Sequence, residues 1–336
     1  MKIRLIRKSF NAVSAQWPGA ILVAALLLLA PAAEARVKLL RLAGPAAVVS
    51  FPLLHMLESG GLADVAERVE FRLWQNPDQL RALLAKDEID YSAVPVNLPA
   101  LLAGRGQPVR LLNVSVWGII WLVSRDPNVH GFADLAGKEL LLPFQRDLPA
   151  MLVDELLLSH GLQAGRDLRL RPVRDAQDVQ ALLLAGRGEH ALLVEPAVSV
   201  LLWRNQQQKG APLFRVQSLE QAWAQAFTQQ PELPQAGLMV SARLAEEHAL
   251  ARAVEAAYAA STRWCSSQPQ ACAELVKRHL PHLPVAAIEQ SIRLTRLESR
   301  PASAVRQQLE ALYGLLAKRH PQAIGGAMPD ARFYGP

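Results

Sequence analysis

A stretch that recurs at an offset of 100 residues constrains this chain more than its composition does. Residues 78–102 read DQLRALLAKDEIDYSAVPVNLPALL, and residues 178–202 read DVQALLLAGRGEHALLVEPAVSVLL. In that register Asp78 aligns with Asp178, Leu83 and Leu84 with Leu183 and Leu184, and Ala85 with Ala185. Val94 then aligns with Val194, and Leu101 and Leu102 with Leu201 and Leu202. Each copy parses as an amphipathic helix, a turn, an apolar strand and a second helix opening at a proline. A further strand follows each copy, after Gly106-Gln107-Pro108 and after Gly210-Ala211-Pro212. Such α/β units build a mostly parallel sheet flanked by helices. Two of them about a domain length apart predict two similar lobes with a ligand held between them.

The chain of 336 residues is long enough for two domains. Its 51% hydrophobic and 20% charged content excludes a disordered chain. The formal charge of +6 lies largely at the start, in Lys2, Arg4, Arg7 and Lys8. An apolar run of eleven residues, Ala20 to Ala30, follows, and then Ala33-Glu34-Ala35. That order is a secretory signal peptide cut after Ala35, and the run is too short to span a bilayer. Without residues 1–35 the chain carries 32 cations against 29 anions, so no nucleic-acid partner is implied. An exported soluble protein with no cysteine near the cut is expected to be periplasmic. Cys265 and Cys272 suit that oxidising compartment, as a disulfide at a helix–turn–helix corner or as two buried thiols.

Read in order, strands are expected at 37–43, 69–74, 89–95 and 109–116. The run Ile119 to Ser124 continues almost without a break, as a strand crossing to a second sheet. Strands at 138–144 and 168–173 and the second repeat copy follow, and Gly237 to Ser241 is the return crossing. From Leu244 onward the spacing predicts helices at 248–268, 269–280, 285–294 and 302–320. The expected lobes are therefore discontinuous: 36–120 plus 238–336, with the C-terminal helices, and 124–236.

This order of segments resembles the periplasmic binding proteins of the nitrate/sulfonate/taurine import family, which includes thiamine-precursor binders. The resemblance rests on LAGPAAVVSFPLLHMLESGGL after the first strand, LAKDEIDYSAV, and Phe132-Ala133-Asp134-Leu135-Ala136-Gly137-Lys138. It continues in HALLVEP from His190 to Pro196, AGLMVS, SQPQACAEL and the tail IGGAMPDARFYGP. His190 replaces the family's aspartate, Gln268 its asparagine, and the first loop lacks the usual tryptophan or tyrosine. The resemblance implies a two-lobed α/β fold of periplasmic-binding-protein type II. It also implies a function as the solute-binding component of an ABC importer. The alternatives are an enzyme like the thiamine-pyrimidine synthase or the ligand-binding input of a signalling system. Partners would be a small-molecule ligand and the permease and ATPase subunits at the inner membrane, with the chain itself a monomer.

In such a fold a solute sits beyond the carboxyl ends of the strands, where helix N-termini favour anions. That places Ser50, Phe51, Trp74, Asn76, Asn97, Trp117, Phe144, Gln145, Arg146 and Glu195 as candidate ligand contacts. Aromatic rings offer stacking faces, Ser50, Asn97 and Gln145 directional hydrogen bonds, and Arg146 a fork for a carboxylate, phosphate or sulfonate. Trp74 and Trp117 can equally be core, and Glu195 a helix cap. The chain contains no phosphate-binding GxxxxGK[ST] loop, no GxSxG elbow and no HExxH. No catalytic residue, metal site or cofactor is therefore assigned; His279 and His282 read as a surface turn.

Overall fold

The computed structural model describes residues 36–143 and 147–336. The expected leader, and Phe144, Gln145 and Arg146 among the candidate contacts, lie outside them. The first repeat copy folds as helix α2 (Pro77–Ala85), strand β3 (Tyr91–Pro95) and helix α3 (Asn97–Gly104), and strand β4 (Arg110–Gly118) follows. The second folds as α5 (Ala176–Leu184), β8 (His190–Val194) and α6 (Ala197–Gln207), followed by β9 (Phe214–Ser218). Both first helices start on a side-chain cap, as free N–H groups there require. Asn76 Oδ1 accepts from Gln79 N–H at 2.9 Å, and Asp175 Oδ1 accepts from the N–H groups of Gln177 and Asp178.

β1 (Leu40–Gly44), helix α1 (Phe51–Ser59) and β2 (Val69–Leu73) precede the first copy. The chain then crosses at Ile119 into β5 (Ile120–Ser124), β6 (Glu139–Leu142), α4 (Leu148–Ser159) and β7 (Arg169–Pro172). After β9 it runs through α7 (Leu219–Ala226) to β10 (Ala236–Val240). Helices α8 (His248–Ser267), α9 (Pro269–His279) and α10 (Val285–Leu294), strand β11 (Arg296–Pro301) and helix α11 (Arg306–Arg319) complete it.

Two sheets result, ordered β11-β4-β10-β3-β1-β2 and β7-β6-β8-β5-β9. Within the first, β1 pairs in parallel with β2 and β3, while β10 runs antiparallel between β3 and β4. Within the second, β6 pairs in parallel with β7 and β8, and β5 runs antiparallel between β8 and β9. Each sheet is thus an α/β layer with one inserted strand of opposite sense, the first carrying a second antiparallel strand at its β4 edge, in keeping with the two-lobed periplasmic-binding-protein fold expected from the sequence. The crossing strand β5 and the returning strand β10 are those inserted strands. Residues 36–336 pack as one compact unit, and the apolar core runs on from Leu112 and Val116 in the first sheet to Leu122 in the second and Leu152 on α4.

Two elements depart from the expectation. The C-terminal region is not all helix: residues 296–301 form β11, an edge strand on β4, so α11 begins at Arg306 instead of Ala302. Residues 219–226 form α7, capped by Ser218 Oγ, which accepts from Gln221 N–H at 3.1 Å. The cysteines are bonded, joining α8 to α9 with their Cα atoms 5.1 Å apart. The tail closes on α3: a Cβ on Gly104 would lie 2.4 Å from the carbonyl oxygen of Ile324, so only glycine permits that approach.

Candidate functional site

Parallel strands end together, so β1, β2 and β3 deliver their following loops to one end of the first sheet. At the end of β1, Ser50 starts α1 with its hydroxyl buried and without a hydrogen-bond partner. A Cβ on Gly44 would come within 2.2 Å of that oxygen, which is why the strand ends in glycine. Phe51 beside it is fully buried. At the end of β2, the Trp74 indole N–H donates to Ser92 Oγ at 3.1 Å, and Asn76 is spent on capping α2. At the end of β3, Asn97 donates through Nδ2 to the carbonyl of Ala323 at 3.4 Å. The preceding Val96 carbonyl accepts from the Tyr313 hydroxyl at 2.8 Å. Ser50, Trp74 and Asn97 therefore sit on three neighbouring strand ends.

Trp117, near the end of β4, is enclosed. Its indole N–H donates to the Glu298 carbonyl at 2.9 Å, and the guanidinium groups of Arg300 and Arg296 lie 4.5 and 5.5 Å from its ring centre. Those arginines bind a carboxylate set from the other side of the crossing. Arg296 reaches Glu220 at 3.2 Å, and both reach Glu232, which they and Gln308 hold down to about pKa 2. Burial raises the Glu220 carboxyl, against the Arg296 hydrogen bond that lowers it.

The second sheet presents its own strand ends to the first. Glu195 follows β8, its N–H donating to the Ile119 carbonyl at 2.9 Å, so the ends of β4 and β8 meet at the crossing. Its buried carboxylate accepts from Ser199 N–H at 3.1 Å and is paired with Arg215, which also donates to Ser199 Oγ at 3.0 Å and lies over Trp121. Glu195 thus acts as the cap of α6 and as half of a buried ion pair. Asp147, at the start of α4, has its carboxyl raised by burial, and the charges of Arg81 and Asp78 on α2 also act on it. Further along, Arg319 of α11 pairs with Asp154 at 2.7 Å and Glu155 at 3.3 Å, both on α4.

Several residues that shape this region carry no local sequence signal. Gln235, only 2% exposed, accepts from Ile119 N–H at 3.0 Å and donates to the Trp117 carbonyl at 3.2 Å, binding one crossing to the other. Arg215, Arg296 and Tyr313 are the others, each acting on a partner far away in sequence. Among the described residues no group of three or more His, Cys, Asp or Glu side chains is placed to hold a metal, and His279 is engaged by Glu58 at 2.7 Å.

No protein-family model matches the chain, and no curated protein does. Solved structures do. An ABC transporter from Parabacteroides distasonis is 22% identical, covering 89% of this chain and 99% of its own, with a TM-score of 0.74. The nitrate-binding protein NrtA from Synechocystis PCC 6803 is 17% identical over 85% of this chain and 84% of its own, with a TM-score of 0.66. The alkanesulfonate-binding protein SsuA from Xanthomonas axonopodis pv. citri, bound to MOPS, is 16% identical over 89% of this chain and 96% of its own, with a TM-score of 0.64. The chain is similar to all three in fold.

Proposed function

We propose that this protein is the extracytoplasmic solute-binding component of an ABC importer. The observation that carries the reading is the meeting of strand ends: β4 of one sheet and β8 of the other end at one crossing, where Glu195 N–H donates to the Ile119 carbonyl, and β1–β3 run in the sense of β4 and β6 in that of β8. A solute between those ends touches both sheets at once, so binding it favours the shut arrangement, and a permease can read that state. Lobes at 36–120 plus 238–336 and at 124–236 turn about the crossings. Residues 1–35 direct export to the periplasm, and the mature chain works as a monomer with a membrane permease and ATPase. Ser50, with its unpartnered buried hydroxyl, Trp74 and Asn97 contact the solute from the first sheet. The fold relatives named above are binding proteins and an ABC transporter, which supports binding rather than turnover.

Thermal melting against nitrate, alkanesulfonates, dicarboxylates and pyrimidines tests this. A solute that binds only the folded chain adds about 2.7 kcal/mol at 100 times its Kd, a shift of several degrees. If none of these classes moves the melting temperature, the reading fails.

A further inference from the structure

A groove of about 300 Å³ runs between α11 and the segment from α7 to Leu233. None of its lining residues belongs to the strand-end loops described above. One wall holds Trp223 and Phe227, whose ring centres are 4.1 Å apart, and the indole N–H of Trp223 is fixed on the Gln230 carbonyl at 3.3 Å. The other wall is the face of α11 that carries Glu310, Gly314 and Lys318, one turn apart in succession.

Gly314 is the informative residue. Nearly every other glycine among the described residues has a reason visible in the protein. Either its φ is positive, as at Gly60 or Gly186, or a Cβ would meet a neighbour, as at Gly104 and Gly237. Gly61, in the turn after α1, and Gly314 have neither, and of the two only Gly314 lies inside a helix, where a Cβ would meet nothing within 4 Å. Glycine is a poorer helix former than alanine, so the chain carries a cost here that no protein atom explains. A flat group lying on the helix backbone, opposite the aromatic pair, would explain it.

Charge narrows the chemistry. Of the ionic groups lining the groove, Glu232 is paired with Arg300 and Arg296, and Glu310 with Arg306 at 2.7 Å. Lys318 is exposed and forms no ion pair among the described residues, its neighbour Arg319 having taken Asp154 and Glu155. Glu155 feels the Lys318 charge only at longer range. One unmatched cation therefore stands a helical turn from the glycine. We propose that this groove binds a small aromatic carboxylate, its ring between Trp223–Phe227 and Gly314 and its carboxylate at Lys318. This goes beyond the importer reading and does not depend on it.

The test titrates benzoate, phenol and cyclohexanecarboxylate into the purified mature protein by calorimetry. Benzoate is expected to bind saturably, more tightly than either of the others. Gly314→Leu, a change that favours the helix, should keep the fold by circular dichroism and weaken benzoate binding at least tenfold. Lys318→Gln should weaken benzoate several-fold and leave phenol unchanged. The proposal is overturned if benzoate does not saturate at millimolar concentration, or if folded Gly314→Leu binds it like the parent. Parent-like benzoate binding by Lys318→Gln overturns the carboxylate assignment. A solute found by thermal melting to act at the strand ends should keep its affinity in Gly314→Leu, which separates the two sites.

Discussion

Gln235→Met probes the joint between the sheets while leaving side-chain volume nearly unchanged. The side chain of Gln235 accepts from Ile119 N–H at 3.0 Å and donates to the Trp117 carbonyl at 3.2 Å, and its own backbone bonds to Val116 and Val96. Methionine keeps the backbone bonds and removes both side-chain ones. Two backbone groups are then left without those partners where Gln235 is 2% exposed. An unsatisfied buried group costs about 1–3 kcal/mol, and the carbonyl retains a second lone pair, so the loss is about 3 kcal/mol in all. In a chain of this size that corresponds to a fall of roughly 6–12 °C in Tm. Calorimetry measures it, with urea melts followed by both circular dichroism and tryptophan fluorescence to check that the sheets still unfold together. Gln235→Glu should be at least as damaging, since it cannot donate to the Trp117 carbonyl when ionised and it buries a charge. If Gln235→Met melts within about 2 °C of the parent, the side chain does not carry the joint, and the hydrogen-bond argument for this crossing is wrong.

Burial alone pushes the Glu255 carboxyl up to about 7 on α8, so its contribution to stability is full below the unfolded value near 4.5 and is lost as pH rises through 7. Glu255→Gln should match the parent near pH 5 and exceed it by about 1–2 kcal/mol near pH 8 in urea melts, after allowance for solvent screening; a pH-independent difference would refute this. Replacing both Cys265 and Cys272 with serine opens a loop of sequence separation 7. The loop-entropy relation then gives a loss of about 2.5 kcal/mol, to be read as a lower urea midpoint with unchanged slope. Asp90→Asn removes the charge from a fully buried carboxylate that accepts from Arg41 N–H at 2.8 Å and from Arg243 Nε at 2.9 Å. With Arg243 itself 38% exposed, the cost should be about 1–2 kcal/mol by calorimetry, and a larger loss would mean the pair is less screened than the structure shows.

The elements of the two repeat copies were legible because periodicity and caps act within a few residues. Asn76 before Pro77, and Asp175 before its helix, announce themselves locally. The start of α7 was equally announced, since Ser218 and Gln221 have the spacing of a capping box, but its eight residues are too few for apolar periodicity to stand out. β11 was hidden by its composition: Arg-Leu-Glu-Ser-Arg-Pro reads as a loop, and its charges are those that suit an edge strand. The candidate contacts at strand ends were placed by the same local logic. Which of them are already occupied was not, because the occupants, Arg215 for Glu195 and Arg296 with Arg300 for Trp117, lie on other strands.

One of the positions where the copies differ shows why. Asp90 and His190 open equivalent strands, yet one reaches the β1 backbone and Arg243, while the other has Nδ1 at 2.9 Å from Ser124 Oγ. Burial is the largest influence on His190 and lowers its pKa, which favours the neutral ring there. The inserted antiparallel strand differs between the sheets, β10 ending beside Asp90 and β5 beside His190, so the same slot faces different neighbours. A carboxylate at 190 would face Asp126 and Glu189, the groups whose charges raise the histidine's pKa, and only Lys138 would oppose them. The histidine at 190 is thus matched to what packs against it.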